Sequence, residues 1–226
     1  MGERVALVAG AGGPLGRATA VSLAGAGFTV VAIDRSAQGL AELAEGIRRE
    51  VGDPTEPAVA KAIVDRIAAE VGAPEVLVNT IGAFRLGEAL TATPEDLRAM
   101  IDVNLGAALW LSQAVGPYMK QRGSGAIVHV SARPAIEPTA GMAAYSISKA
   151  ALAHLTRLLD LELHPHGIRV NAVLPQLLDT PRNRAVFPAD QLAHAVAPEA
   201  IADIIAFLVS DVAAPISGAL LPAYGA

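Results

Sequence analysis

The chain has no cysteine and is poor in aromatic residues: 226 positions hold one Trp, three Tyr and four Phe. Without cysteine there are no disulfides, no thiolate nucleophile and no cysteine-ligated metal. Clustered basic charge is also missing. Seventeen Lys and Arg face 22 Asp and Glu, for a net charge of −5, and no Lys/Arg run overrides that average. Nucleic acid and anionic lipid are therefore not expected as partners, and small molecules are. The five histidines (His129, His154, His164, His166 and His194) show no paired spacing with carboxylates, so no metal is expected. No apolar run reaches the ~18 residues of a spanning helix, because Asp, Glu, Arg or Pro interrupts each one. Met1 to Arg4 lead straight into a strand-like run, without an apolar leader or a hydroxyl at position 6 for myristoylation. A cytoplasmic protein with no membrane partner is the expectation.

What is present is an apolar chain, 53% hydrophobic and only 17% charged, with a mean hydropathy of +0.44. That balance suits a sheet buried on both faces. Strand-like runs at Val5–Ala9, Thr29–Ile33, Val76–Asn79, Ala126–Ser131, Arg169–Leu174 and Ala219–Pro222 alternate with amphipathic runs at 57–71, 94–119, 142–164 and 198–209. The alternation predicts an α/β fold, a doubly wound parallel sheet with helices on both faces, and the length suits a single domain over 1–226. No repeat, low-complexity tract or long linker interrupts it. The stretch 181–196 lacks periodicity and is read as a short lid over the carboxyl ends of the strands, where ligands bind in such folds.

After the first strand come Gly10-Ala11-Gly12-Gly13-Pro14-Leu15-Gly16 and then a helical run from Arg17 to Ala26. Such a turn brings backbone N–H groups and a helix N-terminus against a pyrophosphate, and glycine is needed where a side chain would block the approach. An ordinary tight turn would use the same residues. The second strand ends at Asp34, eighteen residues beyond Gly16. A carboxylate there can accept both hydroxyls of an adenosine ribose and repels a 2′-phosphate. NAD(H) is favoured; NADP(H) stays open because Arg17 and Arg35 can neutralise a phosphate. Asp53 is read either as an adenine contact or as an Asp-Pro turn.

Tyr145 and Lys149 lie four apart in a helix-like run, which puts phenol and ammonium on one face about 5–6 Å apart at Cβ. A phenol acting as acid/base at neutral pH needs its pKa lowered by roughly 3 units, and Lys149 with an oxidised nicotinamide is the expected source of that charge. The same spacing also occurs in plain surface helices.

In combination these motifs resemble the short-chain dehydrogenase/reductase family, and the resemblance covers nearly the whole chain. The glycine loop, Asp34, Asn79-Thr80-Ile81-Gly82, Asn104, Tyr145 with Lys149, and Pro175 to Thr180 appear in the family's order and spacing. The resemblance implies a Rossmann-like fold and an NAD(P)-dependent oxidoreductase. Its cofactor would be held by Gly10, Gly12, Gly13, Leu15, Gly16, Asp34, Arg35, Asp53, Asn79, Gly82, Tyr145, Lys149, Pro175, Leu178 and Thr180. It makes Tyr145 the proton donor or acceptor, and Lys149 the residue that binds the nicotinamide ribose and lowers the phenol's pKa. Asn104 would hold a relay water, while Leu178 through its backbone and Thr180 through its hydroxyl would position the carboxamide. Ala132 and Arg133 would border the substrate. Read from their surroundings alone, Asn104 is a solvent-facing helix residue and Thr180 a helix cap before Pro181.

Three departures stand out. The family's catalytic serine, thirteen residues before the tyrosine, is Ala132. Ser131 beside it points to the opposite face of the strand and is read as structural. Losing such a donor costs about 2.7–4 kcal/mol in barrier, which favours an electron-poor acceptor. Dihydropteridine reductases, a branch of the family that reduces a quinonoid ring, also carry alanine there and are similar across Val173-Leu174-Pro175, 178–184 and 187–190. Pro14 replaces a glycine and removes one N–H, tolerable if it is the first helical residue. Gln176 replaces the glycine usual after Pro175. A second reading is a weak or silent dinucleotide-binding scaffold, motivated by Ala132. By resemblance, Trp110 and the stripe from Leu105 to Ala114 imply a homodimer or homotetramer; plain core packing explains them equally.

Overall fold

The computed structural model describes residues 4–225. Seven strands, β1 (Val5–Ala9), β2 (Thr29–Asp34), β3 (Arg48–Val51), β4 (Pro74–Asn79), β5 (Gly125–Val130), β6 (Ile168–Pro175) and β7 (Leu220–Ala223), form one sheet in the order β3-β2-β1-β4-β5-β6-β7. All pairs are parallel. The helices are α1 (Pro14–Gly25), α2 (Ala37–Ala41), α3 (Pro57–Glu70), α4 (Pro94–Ile101), α5 (Ala107–Arg122), α6 (Ala143–Leu163), α7 (Pro181–Arg184), α8 (Ala189–Leu192) and α9 (Pro198–Val209). No described helix is long and apolar enough to cross a membrane.

Apolar residues on both faces explain why the central strands read as continuous apolar runs. Ala6, Val8, Val128 and Val130 join Leu23, Ile201 and Ile205 on one side, while Val5, Leu7, Leu77 and Ile127 join Ile63, Leu111 and Leu159 on the other. Helix starts are set by proline, which occupies the first turn of α1, α3, α4, α7 and α9. Its fixed φ suits that position and its missing N–H would be unpaired there in any case. Pro14 opens α1 in this way. Thr93 and Asp96 add a reciprocal capping box at α4.

Two expectations change. β3 was not among the strand-like runs, because this edge strand reads Arg-Arg-Glu-Val and lies mostly exposed. The run 94–119 is not one regular helix: a π-helical turn, Asp102–Gly106, separates α4 from α5. Such a turn inserts a residue into the helical ladder and frequently marks a functional site. The stretch 181–196 holds two single-turn helices, and its end pairs back on Leu178 through Val196.

Candidate active site

The chain winds from β1 outward to β3 and then crosses back to β4, so the loops after β1 and β4 diverge at a topological switch point. They meet there. A Cβ on Gly10, at φ +82°, would lie 2.6 Å from Thr80 Oγ1 and 2.9 Å from the Ile81 nitrogen. Inside the first loop the tolerance is tighter still, since a Cβ on Gly16 would come within 2.2 Å of the Gly10 carbonyl oxygen. The glycines therefore permit helix α1 to start directly against the end of β1.

No described side chain caps α1, whose cap residue is Gly13. The N–H groups of Leu15 and Gly16 stand at the positive end of the helix, suited to an anion. Asp34 lies across the loop: its Oδ2 accepts from the Gly12 N–H at 2.9 Å and its Oδ1 from the Ser36 N–H at 2.8 Å. Arg17 is committed elsewhere, donating to the Gly12 carbonyl at 2.6 Å and pairing with Glu42 at 2.9 Å. Arg35 lies 3.8 Å from Asp53. Asp53 accepts from both the backbone and the hydroxyl of Thr55, which is turn chemistry.

Beyond the switch point the polar groups are buried. Asn104 sits in the π turn with no solvent exposure, so the solvent-facing alternative is overturned. Its Oδ1 accepts from the Ala83 N–H at 2.8 Å and its Nδ2 donates to the Ala83 carbonyl at 3.0 Å and to Ser148 Oγ at 2.9 Å. Ser148 in turn donates to the Tyr145 carbonyl at 2.7 Å. The extra residue of the π turn brings this amide to the loop after β4, a role the helical spacing does not reveal. Gly82 completes the niche, since a Cβ there would lie 3.0 Å from Lys149 Nζ and 3.1 Å from Asn104 Oδ1.

Lys149 is 4% exposed and donates to the Val130 carbonyl at 2.8 Å. Burial pushes its ammonium down to about 8. Burial likewise pushes the Tyr145 phenol up to about 12, and the lowering expected from Lys149 with an oxidised nicotinamide concerns the cofactor-bound site. The protein's own groups keep the phenol protonated, because desolvation disfavours the phenolate. His129 on β5 is buried, with neither ring nitrogen partnered among the described residues. Burial, and then the charge of Lys149, pushes it down to about 3.

Ser131 donates its hydroxyl to the Lys149 carbonyl at 2.9 Å, which anchors α6 to β5 and leaves it no part as a replacement donor. Ala132 is buried and extended at the strand's end. Arg133 next to it donates to Glu137 at 2.7 Å and to Gln176 at 2.8 Å, with its guanidinium 4.7 Å from the Tyr224 ring centroid. Thr180 caps α7 by accepting from the Asn183 N–H at 3.2 Å, and Asn183 donates back to the Leu178 carbonyl at 2.8 Å. Pro175 ends β6, buried.

Ser148 and Phe84 join the site without a sequence motif to announce them, and Phe187, noted only within the 187–190 similarity, joins them. Phe84 meets Tyr145 edge-on at 5.0 Å and Phe187, from the lid, at 6.0 Å. In so aromatic-poor a chain, their scarcity was the available signal.

These residues fit a dinucleotide. An uncapped glycine-lined helix start lies beside the Asp34 carboxylate, and the buried Asn79 Nδ2 at the end of β4 has no partner among the described residues.

The family model described as short chain dehydrogenase matches residues 4–191. The short-chain reductase protein NovJ of Streptomyces niveus is 39% identical over 186 residues, 79% of this chain and 71% of that protein. Galactitol 2-dehydrogenase of Rhizobium johnstonii is 38% identical over 97% of this chain and 93% of its own length. Among solved structures, L-sorbose reductase from Gluconobacter frateurii, complexed with NADPH and L-sorbose, superposes with a TM-score of 0.91 at 25% identity, covering 99% of this chain and 96% of that one.

Proposed function

The chain belongs to the short-chain dehydrogenase/reductase family of oxidoreductases, and from that premise we propose that it transfers hydride between NAD(H) and a small carbonyl or alcohol, with Tyr145 as the acid/base. One observation carries the reading: Tyr145, the buried Lys149 and the buried Asn104 converge on the loop after β4, beside the glycine loop and Asp34. Two of the relatives act on a polyol and a sugar by name, which supports carbonyl and alcohol chemistry for this site.

A bound nicotinamide supplies or takes the hydride. Tyr145 holds at its Oη the proton that a substrate oxygen receives in reduction, and burial keeps it there at neutral pH. Restoring that proton falls to the Lys149 ammonium, which is half ionised near pH 8 and so gives it up readily. Lys149 also offers hydrogen bonds to a nicotinamide ribose. Asn104 clamps the Ala83 backbone and Ser148, which holds the loop and α6 at a set distance. In either direction the proton passes through the Tyr145 phenolate, which desolvation disfavours, so positive charge beside it has to compensate. The adenosine end is held by Gly10, Gly12, Gly13, Leu15, Gly16 and Asp34. Asp34 favours NAD(H), since both its oxygens already face backbone N–H groups and Arg17 is committed to Glu42.

Ala132 offers no hydroxyl to polarise a carbonyl, which favours activated acceptors, a quinonoid pteridine-like ring among them. The same residue motivates the rival reading, a dinucleotide-binding protein with little turnover. Titration with NADH and NADPH, followed by nicotinamide fluorescence, tests the first step: tighter NADH binding is expected, and binding of neither ends the proposal. Tyr145→Phe is expected to lower reductase turnover by about 10²–10⁴-fold with NADH affinity unchanged. Turnover unaffected by Tyr145→Phe favours the rival. Ala132→Ser is expected to raise turnover of unactivated ketones and leave activated acceptors flat.

A further inference from the structure

Of the eight aromatic residues in the chain, four lie at the carboxyl edge of the sheet beside the chemistry. Phe84 follows β4, Tyr145 opens α6, Phe187 comes from the lid and Tyr224 follows β7. Phe28 is buried in the core. Phe84, Tyr145 and Phe187 are each only half-buried, so none of the three is sealed in the core. They form a chain from lid to acid/base: Phe187 at 6.0 Å from Phe84 with planes tilted 46°, and Phe84 at 5.0 Å from Tyr145 at 82°. The edge-on Phe84–Tyr145 pair and the tilted Phe84–Phe187 pair are not stacked face to face, and aromatic groups pair favourably in such offset and edge-on arrangements. Ala132, buried at the end of β5, brings a methyl group where the family's serine would bring a hydroxyl. One cationic group stands nearby, the guanidinium of Arg133, steadied by Glu137, Gln176 and the Tyr224 ring. Only three of its five N–H groups are accounted for by those hydrogen bonds and the Glu137 ion pair.

Resting on the hydride-transfer reading above, we infer that the substrate is an aryl carbonyl or the corresponding aryl carbinol: a planar ring received by Phe84 and Phe187, with a hydrogen-bond-accepting substituent facing Arg133. An acyclic polyol presents a hydroxyl on every carbon and would leave most of them against ring faces, whereas an aryl group buries its whole surface there. In reduction the carbonyl carbon gains a hydride from a reduced nicotinamide dinucleotide, which is oxidised. The C=O π pair moves to oxygen, oxygen takes the Tyr145 phenolic proton, and solvent returns that proton through the Lys149 ammonium. An aryl carbinol and the oxidised dinucleotide result.

The test compares kcat/KM for para-nitrobenzaldehyde with that for a ketohexose, both with NADH, in the unaltered protein and in Phe187→Ala, Phe187→Leu and Phe187→Tyr. The aldehyde is expected to be preferred by about 100-fold. Phe187→Ala is expected to lower its kcat/KM by about tenfold to 100-fold with NADH affinity unchanged. Phe187→Leu should lie between, and Phe187→Tyr should restore the activity. Arg133→Met should lower the rate for the nitro-substituted ring more than for benzaldehyde itself. A ketohexose reduced as well as the aldehyde, an equal loss for both substrates in Phe187→Ala, or NADH binding without aryl turnover each overturns the inference while hydride transfer as such survives. Failure to bind NADH and NADPH overturns the underlying reading as well.

Discussion

On the β1–β2 side of the crevice the site is made of backbone: glycine N–H groups, a helix start, and one carboxylate satisfied by two main-chain donors. On the β4–β6 side it is made of side chains, a buried ammonium, imidazole and amide and a half-buried phenol, and desolvation displaces the proton affinities of the ammonium, the imidazole and the phenol. The first side stores almost no electrostatic cost and has no room for an added atom at Gly10, Gly12 or Gly16. The second is held against a desolvation cost and answers to pH. Shape is the vulnerable quantity on one side and charge on the other.

The largest effect should come from breaking the shape. Gly16→Val would drive side-chain carbon into the Gly10 carbonyl, and a loss of more than about 4 kcal/mol in unfolding free energy is expected, read by urea denaturation. A loss under 1 kcal/mol would mean that the loop moves aside, and the contrast between the two sides would collapse. Next comes Asn104→Ala on the opposite side. It strips partners from the Ala83 N–H and carbonyl and from Ser148, at an expected cost of about 3 kcal/mol. Turnover should fall too, since the loop and α6 lose their common tie.

pH sharpens the comparison further. The folded value of His129, about 3, lies below its unfolded value of 6.5, so protons bind the unfolded chain more readily. Stability from this group is complete above pH 6.5 and drains away as pH falls through 6.5 toward 3, by about 2 kcal/mol between pH 6.5 and 5. His129→Leu should flatten that slope, while Asp34→Ser should not. Equal slopes in the unaltered protein and His129→Leu would show that the buried imidazole is not the acid-sensitive group. The smallest effect is expected at Asp34 itself. Asp34→Ser should shift the ratio of NADPH to NADH dissociation constants by about tenfold toward NADPH, or ~1.4 kcal/mol, and leave turnover at saturating cofactor nearly unchanged.

Much of this was legible residue by residue. The apolar runs of β1, β4, β5 and β6 announce strands because both their faces are buried. The edge strand β3 escaped notice because Arg48, Arg49 and Glu50 face solvent or ion pairs and carry no apolar signal. Tyr145 and Lys149 could be paired from their spacing alone, yet the ammonium's hydrogen bond goes to Val130, a contact across 19 positions that no helical period encodes. The spacing shows the charge near the phenol and hides the desolvation that raises its proton affinity in the chain alone.

The sequence by itself determined where helices begin, through proline at their first turns, where the backbone bends most tightly, through glycine, and which strands run through the interior. These are short-range preferences of the chain, written within a few residues of where they act. Only the tertiary structure decided that the helix spanning 94–119 breaks into a π turn, that Asn104 faces inward to clamp Ala83, and that Lys149, His129 and Tyr145 lie where ionisation is costly. Desolvation is set by everything that packs around a group, and that surrounding is assembled from segments a hundred residues apart.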